Sequence, residues 1–316
     1  QILTGHTAAI FAVGFSPDGR LLATAGADQT ARIWRTDDGI QLMQFNDHNN
    51  GVNDVAFHPN GALLATVSDD QNARLWEIES GTVQLPVMDH PAPVNGAAFN
   101  PEGTVLATTA DDGFLRFWEP ETKELLLRLP YIAGLTKLSF SPDGSLVAAG
   151  AVDGTAVVWS VLTNEIVMIL SGHQGAVNDV EFSRDGQWLT TASSDGSARL
   201  WEIATGETLR VFSGHGGPVL TVSLSADGRR LATGSIDRTT KLWDTATGQA
   251  RRTCLGHTSP VHAVVFAPDD GRLATASADR TARINSLQPV SDLFNRALLL
   301  VTRPLSRDEC TQYLRG

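Results

Sequence analysis

The stretch Gly5–Trp34, GHTAAIFAVGFSPDGRLLATAGADQTARIW, contains the pattern that decides the fold. Its residues alternate with a period of two, as in Leu21–Ala25, and turn residues such as those of Ser16–Gly19 interrupt the alternation. A period of two is typical of β-strands, and the Ser-Pro-Asp-Gly sequence favours a tight turn. The stretch therefore predicts short antiparallel strands that belong to one four-stranded unit.

This unit recurs along the chain in four series of residues that stay in phase. Tryptophans lie 42, 42, 41, 42 and 42 residues apart, at Trp34, Trp76, Trp118, Trp159, Trp201 and Trp243. An aspartate series adds a seventh member, at Asp28, Asp70, Asp112, Asp153, Asp195, Asp237 and Asp279. A histidine precedes the aspartate by 22 residues, at His6, His48, His90, His173, His215 and His257, with Tyr131 in the fourth unit. Apolar residues form the last series, at Phe15, Phe57, Phe99, Phe140, Phe182, Leu224 and Phe266.

Seven four-stranded units of this length predict a closed ring of radial sheets, because no unit can bury both of its faces alone. The pairs Gly5-His6 and Gly172-His173, together with Trp243-Asp244, resemble WD40 repeats from residue 1 to about residue 286. The resemblance implies an all-β, seven-bladed WD40 β-propeller, which is typically a non-catalytic protein-interaction platform. Only one unit has the literal Trp-Asp pair, and this departure leaves the predicted fold unchanged.

The resemblance also sets the predicted domain boundaries. Residues 1–287 are expected to form the propeller, with the strand at residues 1–4 completing the seventh blade beside a strand near Ala282–Leu287. Residues 288–316 are expected to form a short C-terminal helical extension. Within it, the segment from Arg303 to Leu314 resembles the tails of bacterial multidomain WD40 proteins, in which a STAND-type NTPase or another effector commonly precedes the propeller.

Ser, His and Asp recur together in several units, in a combination that imitates a hydrolase triad. Several equivalent copies in one chain favour a structural role, since an enzyme needs one activated nucleophile in one pocket. The resemblance implies that each set forms a buried hydrogen-bonded tetrad that runs from Trp through Ser and His to Asp. The predicted tetrads are His48, Ser68, Asp70 and Trp76; His173, Ser193, Asp195 and Trp201; and His215, Ser235, Asp237 and Trp243.

Four units depart from this predicted tetrad. Gly26 and Ala110 occupy the serine position in units one and three, and Asn285 replaces the tryptophan in unit seven. Unit four departs most, with Tyr131 for His, Ala151 for Ser and Val157 where other units carry Arg or Lys. Two explanations stay open for unit four, which are drift in a redundant structural element and reshaping to contact another molecule.

The resemblance places the commonest docking surface of such propellers on the face around the central channel. The first-strand positions on this face are Phe11, Asn53, Asn95, Thr136, Asn178, Leu220 and His262, and the positions before each series aspartate include Asp69, Asp111, Val152 and Ile236. Leu220, Ile236, His262 and Phe11 form an expected apolar sector. Asn53, Asp69, Asn95 and Asp111 form an acidic sector, which suits a basic peptide segment.

Composition argues against several other classes of partner and ligand. The formal net charge of −11 disfavours nucleic acids and acidic membranes, and no apolar run is long enough to span a bilayer. Neither cysteine recurs from unit to unit, so we expect free thiols in a reducing, cytoplasmic compartment. Asp69-Asp70 and Asp111-Asp112 could suggest a cation site, but each second aspartate belongs to the repeat series. The sequence predicts no metal and no cofactor.

Three functional hypotheses follow, and the leading one is a protein- or peptide-binding module. In that hypothesis the propeller senses a partner or ligand for an upstream NTPase or effector of a larger bacterial signalling protein. The alternative is a stand-alone scaffold that assembles several proteins. An enzymatic propeller is the third hypothesis, and no unrepeated polar cluster supports it.

The predicted tetrads can be tested by replacing one of their tryptophans. We expect Trp201→Ala to lower the free energy of unfolding by about 3–5 kcal/mol, the usual cost of deleting a large buried aromatic side chain. Chemical denaturation followed by circular dichroism measures this change. An unchanged denaturation midpoint in the variant would show that Trp201 is not a buried structural residue.

Overall fold

The computed structural model describes residues 1–287, and this part of the chain contains 28 β-strands. The first, β1 (Ile2–Thr4), belongs to the last blade. Blades one to three comprise β2 (Ile10–Phe15), β3 (Leu21–Gly26), β4 (Ala31–Arg35), β5 (Gln41–Phe45); β6 (Val52–Phe57), β7 (Leu63–Ser68), β8 (Asn72–Glu77), β9 (Val83–Asp89); β10 (Val94–Phe99), β11 (Leu106–Ala110), β12 (Phe114–Trp118), β13 (Leu125–Pro130).

The remaining blades repeat the same arrangement. Blades four to seven comprise β14 (Leu135–Phe140), β15 (Leu146–Ala151), β16 (Thr155–Ser160), β17 (Ile166–Ser171); β18 (Val177–Phe182), β19 (Trp188–Ser193), β20 (Ser197–Glu202), β21 (Thr208–Ser213); β22 (Val219–Leu224), β23 (Arg230–Ser235), β24 (Thr240–Asp244), β25 (Ala250–Cys254); β26 (Val261–Phe266), β27 (Arg272–Ser277), β28 (Thr281–Ser286). Each of the first six blades is an antiparallel sheet with its four strands in chain order.

Strand pairing between the two ends of this region closes the ring. β1 pairs antiparallel with β28, with Ile2 opposite Arg283 and Thr4 opposite Thr281, so the seventh sheet has the order β1-β28-β27-β26. The first strands of consecutive blades contact one another, and β26 contacts β2. Residues 1–285 therefore form one compact, seven-bladed propeller, as the repeat count predicts.

The apolar cores lie between adjacent blades. One cluster joins Ile33 and Phe45 of blade one to Val55 and Trp76 of blade two, and the Phe45 and Trp76 rings are 4.6 Å apart between centroids. The cluster at the closure contains Leu3 of β1. Because each sheet face is buried by its neighbour, burial depends on the ring being complete.

A β-bulge interrupts the pairing of the first and second strands in every blade. In blade one the register shifts between Ile10 and Ala12, which leaves Phe11 as the extra residue. Asn53 and His262 hold the same position in blades two and seven. Bulges leave a residue outside the regular ladder and redirect its side chain, so one first-strand residue per blade is available for another role.

The predicted C-terminal helical extension at residues 288–316 lies outside the described residues. Within residues 1–287 the structure has no helix with the length and apolar character needed to cross a membrane.

At Gly26, a Cβ atom would come within 2.4 Å of the Ala9 carbonyl oxygen, so the close approach of the loop explains this glycine.

Candidate partner-binding surface

A chain of buried hydrogen bonds crosses most blades, and its hydroxyl group comes from threonine. In blade two, Trp76 Nε1–H donates to Thr66 Oγ1 over 2.8 Å, and the same hydroxyl lies 2.7 Å from His48 Nε2. The indole can only donate, so the Thr66 hydroxyl accepts its proton and also links the indole to His48 Nε2. His48 Nδ1–H then donates to Asp70 over 2.8 Å.

The prediction that serine supplies this hydroxyl is wrong. Ser68 donates instead to the Gly51 carbonyl and accepts the Asp70 backbone N–H. Ser193 and Ser235 make the equivalent bonds in their own blades, so all three serines tie the turn before the series aspartate to the loop above it. The positions of the two residues explain this difference. Thr66 pairs with Arg74 on the strand that also carries Trp76, whereas Ser68 lies at the end of its strand.

Because threonine supplies the hydroxyl, the link between histidine and tryptophan is also present in blades one and three. Thr24 and Thr108 link histidine to tryptophan in blades one and three, so Gly26 and Ala110 do not interrupt the chain there. The remaining threonines are Thr191, Thr233 and Thr275. A threonine 18 residues after each histidine is visible in the sequence, and this series is the signal that would have identified the hydroxyl.

Three blades still differ from the rest. In blade three, His90 Nδ1–H donates to the Met88 carbonyl over 3.0 Å, and Arg116 pairs with Asp112 in its place. In blade four, Ala149 replaces the threonine, and the Tyr131 hydroxyl instead lies 2.9 Å from the Thr155 hydroxyl. In blade seven, Asn285 occupies the tryptophan position, while the histidine, threonine and aspartate remain linked.

The electrostatics of these chains agree with a structural role. Burial lowers the pKa of His173, His215 and His257, so these imidazoles are neutral at pH 7. Burial alone would raise the pKa of Asp195, but hydrogen bonds from Ser197 and His173 hold it at about 2. The Asp195 carboxylate is therefore ionised and accepts hydrogen bonds at neutral pH. Equivalent hydrogen bonds between histidine and aspartate occur in several blades around the ring.

The predicted docking residues gather around one cavity of about 310 Å³, which we call the upper cavity. The bulged first-strand residues line it, and Asp111, Val152 and Lys137 complete its wall. Asp69 and Ile236, which the sequence also predicted, are outside this lining set. The residues that line it are Phe11, Asn53, Asn95, Asp111, Thr136, Lys137, Val152, Asn178, Leu220 and His262.

The polar members of this lining are held by hydrogen bonds between blades. Asn53 donates to Asp69 over 2.6 Å and to the Val94 carbonyl of the next blade over 3.0 Å. Asn95 does the same with Asp111 and Leu135, at 2.7 and 2.8 Å. The asparagines therefore orient the carboxylates and also tie neighbouring blades together.

The apolar members lie on the other side of the upper cavity. The Phe11 and His262 rings meet edge to face with their centroids 5.3 Å apart, and Leu220 lines the same wall. Burial lowers the pKa of His262, so its ring is uncharged at pH 7. The upper cavity thus combines an apolar wall with a wall of carboxylate and amide groups.

Below the upper cavity lies a second cavity of about 180 Å³, the channel cavity, which the sequence reasoning missed. The two share Lys137, Leu220 and His262. Lys137 of blade four lies 2.5 Å from the Asp54 carboxylate of blade two and also donates to the Asn53 carbonyl. Asp179 and Glu181 line the same cavity. Charged residues inside first strands are unusual in this chain, and that contrast is the signal that could have revealed them.

The two channel carboxyls of blade five hold the backbone of blade six. Asp179 accepts the Val222 N–H over 3.0 Å, and Glu181 accepts the Leu224 N–H over 2.6 Å. Burial raises the pKa of Asp179 to about 6 and that of Glu181 to about 8. Among residues 1–287, no three His, Cys, Asp or Glu side chains are arranged to hold a metal ion.

Comparison with known proteins agrees with this architecture. The family model described as "WDR90, 4th beta-propeller" matches residues 93–253, just over half of the chain. The chain belongs to the WD40-repeat β-propeller family. The model "WD domain, G-beta repeat" also matches residues 1–35, 39–77 and 248–285 of this WD40 propeller.

One curated relative shares a single WD40-length segment with this propeller. Protein Mut11 of Chlamydomonas reinhardtii is 50% identical over 40 residues, which is 13% of this chain. The matched segment spans 11% of that protein's own length. WD40 propellers are typically non-catalytic interaction modules.

Replacing the threonine and serine of one blade tests the corrected assignment. Thr191→Val leaves Trp201 Nε1–H and His173 Nε2 unpaired in the core, so we expect a loss of about 2–3 kcal/mol in unfolding free energy. Ser193→Ala should cost about 1 kcal/mol, and Thr191→Ser, which keeps the hydroxyl, should cost less than Thr191→Val. Urea denaturation of the three variants measures the order. A larger loss for Ser193→Ala than for Thr191→Val would contradict the assignment.

The raised pKa of Glu181 makes stability depend on pH. The folded chain retains this proton up to about pH 8, whereas the unfolded chain loses it near 4.5, so stability falls as pH rises between these values. We expect Glu181→Gln, which keeps an acceptor for the Leu224 N–H, to be more stable than the parent at pH 8 and to lose this advantage below about pH 4.5.

Urea denaturation at several pH values measures this difference. Glu207→Gln is the matched control, because Glu207 is exposed and should leave the pH dependence of the parent unchanged. Parallel stability curves for the parent and Glu181→Gln across this pH range would contradict the prediction.

Proposed function

We propose that the propeller is a non-catalytic protein-interaction module that binds an extended segment of a partner protein in the upper cavity. The observation that supports this most strongly is the placement of the bulged residues, because all seven blades contribute a first-strand side chain to one cavity. Phe11, Leu220 and His262 provide an apolar wall for one side chain of the partner. Such a wall at the centre of a concave surface suits an anchor residue.

We also propose that the partner segment carries a basic residue. Asp69 and Asp111 are fixed by the amides of Asn53 and Asn95, so their remaining lone pairs are preorganised for a donor. Lys137 forms its ion pair with Asp54, so its charge does not neutralise Asp69 or Asp111. The side-chain charge of the acidic sector therefore favours a lysine or arginine next to an apolar residue.

The wider setting that we propose is a bacterial signalling protein in which this propeller senses a partner for an NTPase or another effector. The likeness of the segment from Arg303 to Leu314 to the tails of such proteins supports this setting. Mass spectrometry of the natural full-length protein tests it. A phosphate-binding loop upstream is the expected result, and a natural chain that contains the propeller alone would instead favour the scaffold hypothesis.

Peptide selection on the immobilised protein tests the site itself. A displayed library of random peptides should yield sequences with a basic residue beside an apolar one, and fluorescence anisotropy of labelled peptides gives their affinity. Phe11→Ala with Leu220→Ala should weaken binding by about tenfold or more, because the two side chains form the apolar wall. Asp111→Asn should weaken the same peptides.

Two controls keep this test specific. Glu102→Gln removes a carboxylate of the same blade in the turn at the other end of β10, so peptide affinity should not change. Thermal unfolding of the double variant should match that of the parent. Peptides that bind the double variant as tightly as the parent would place the site elsewhere on the protein.

A further inference from the structure

The seven first strands of the propeller contain a single lysine or arginine, which is Lys137 of β14. Its side chain crosses to the Asp54 carboxylate of blade two, at 2.5 Å, and also donates to the Asn53 carbonyl over 2.8 Å. Lys137 lines both the upper cavity and the channel cavity, so it lies at the boundary between them. A cation of the chain itself therefore lies at the floor of the proposed partner site.

The Asp54 carboxylate is also held by a contact that does not involve Lys137. One of its oxygens accepts the Ala97 N–H of blade three over 3.1 Å, and the other faces Lys137. The equivalent residue of blade three is Gly96, where a Cβ atom would come within 2.9 Å of the Thr136 carbonyl oxygen. Blade three therefore places no side chain between the two charged groups. Asp54 would keep its orientation, with one oxygen open to a cation, if the lysine were removed.

The surroundings of the pair make a cation at this place important. Only 25% of the Lys137 side chain and 16% of the Asp54 side chain are exposed. A carboxylate that is mostly removed from water is costly without a charge partner. Asp179 lines the same cavity, where burial raises its pKa to about 6 and the Lys137 charge opposes this rise. Loss of the ammonium group would leave a place that favours another cation of similar size.

We propose that Lys137 determines the specificity of the upper cavity, because it fills an ammonium subsite that a basic side chain of the partner would otherwise occupy. This inference rests on the proposed function, and it assigns the partner's basic residue to Asp69 and Asp111. A second cation at the floor would lie next to the like charge of Lys137, which is unfavourable. The floor therefore accepts an apolar side chain, which suits the wall formed by Phe11 and Leu220.

An amine added from solution tests the ammonium subsite without any partner. Lys137→Ala removes three methylene groups and the ammonium group, and n-propylammonium matches this lost part. We expect n-propylammonium to raise the thermal unfolding temperature of Lys137→Ala by about 2 °C or more, relative to sodium chloride at the same concentration. It should leave the parent unchanged. Adding Asp54→Asn to Lys137→Ala should abolish the effect, which identifies the carboxylate.

Lys241→Ala is the matched control for the loss of a lysine. Lys241 lies on the third strand of blade six, where its ammonium group bonds to the Thr253 hydroxyl, and it lines neither cavity. Its removal creates no cavity beside a buried carboxylate, so n-propylammonium should not stabilise this variant. If Lys137→Ala does not fold, Lys137→Met keeps most of the side-chain volume without the charge, and methylammonium replaces n-propylammonium as the probe.

Peptide binding then tests the effect on specificity. A selected peptide whose apolar anchor is replaced by lysine should bind Lys137→Ala about tenfold or more tightly than it binds the parent, as measured by fluorescence anisotropy. Adding Asp54→Asn should remove this gain, and Lys241→Ala should bind the peptide as the parent does.

The two measurements separate this inference from the proposed function. Equal effects of n-propylammonium on the parent and on Lys137→Ala would overturn the ammonium subsite, even if the parent binds its selected peptides. A lysine-anchored peptide that binds Lys137→Ala no more tightly than the parent would overturn the role of Lys137 in specificity. A parent that selects no peptide, with Lys137→Ala still stabilised by the amine, would overturn the proposed partner site and leave only the subsite.

Discussion

Every blade of this propeller has an inner edge as well as an outer one, and the inner edge faces a cavity where backbone groups need partners. The chain supplies them from side chains of the preceding blade. Asp54 accepts the Ala97 N–H at 3.1 Å, Ser139 accepts that of Phe182 at 3.2 Å, and Ser223 accepts that of Phe266 at 3.1 Å. An unpaired buried N–H is costly, so polar side chains must line the channel. The same contacts fix the relative position of neighbouring first strands, and hence the shape of the upper cavity.

The Trp-Thr-His-Asp hydrogen-bond chains connect segments within one blade, whereas the channel contacts connect neighbouring blades. They hold the loop that carries the histidine against the turn that carries the aspartate, because the aspartate also accepts a loop N–H, such as that of Asn49 in blade two. Blade four keeps the tryptophan and the aspartate but not the histidine or threonine, and the Tyr131 hydroxyl bridges the same two segments. A repeat fold tolerates this change because the neighbouring blades still bury both faces of the sheet.

The fold could be predicted from the sequence because its signal is repeated seven times, and a closed ring is the arrangement that buries both faces of every unit. The pairing of the N-terminal strand with β28 was an expectation from the resemblance to WD40 repeats, and Ile2–Thr4 form this pair in the structure. The hydroxyl of the hydrogen-bonded chain was assigned to the wrong residue because Thr66 and Ser68 are two positions apart on one strand and share a chemistry. Which of two hydroxyls reaches a tryptophan depends on strand register, and that is set by cross-strand pairing. The contact of Lys137 with Asp54 was out of reach for a related reason, since it joins blades two and four across the channel.

Within each first strand, different residues contact the neighbouring blade and line the upper cavity. Residues that follow the bulge, such as Asp54 and Asp179, bond to the backbone of a neighbouring blade and cannot change without cost. The bulged residue itself is outside the ladder, and its side chain is free to be Phe11 in one blade, Leu220 in another and Asn95 in a third. Asparagine and threonine at this position still donate to the next blade, whereas Phe11, Leu220 and His262 are not needed for that contact. The side chains of the apolar wall are therefore free of this structural constraint, which leaves them available for the contact with a partner that we propose.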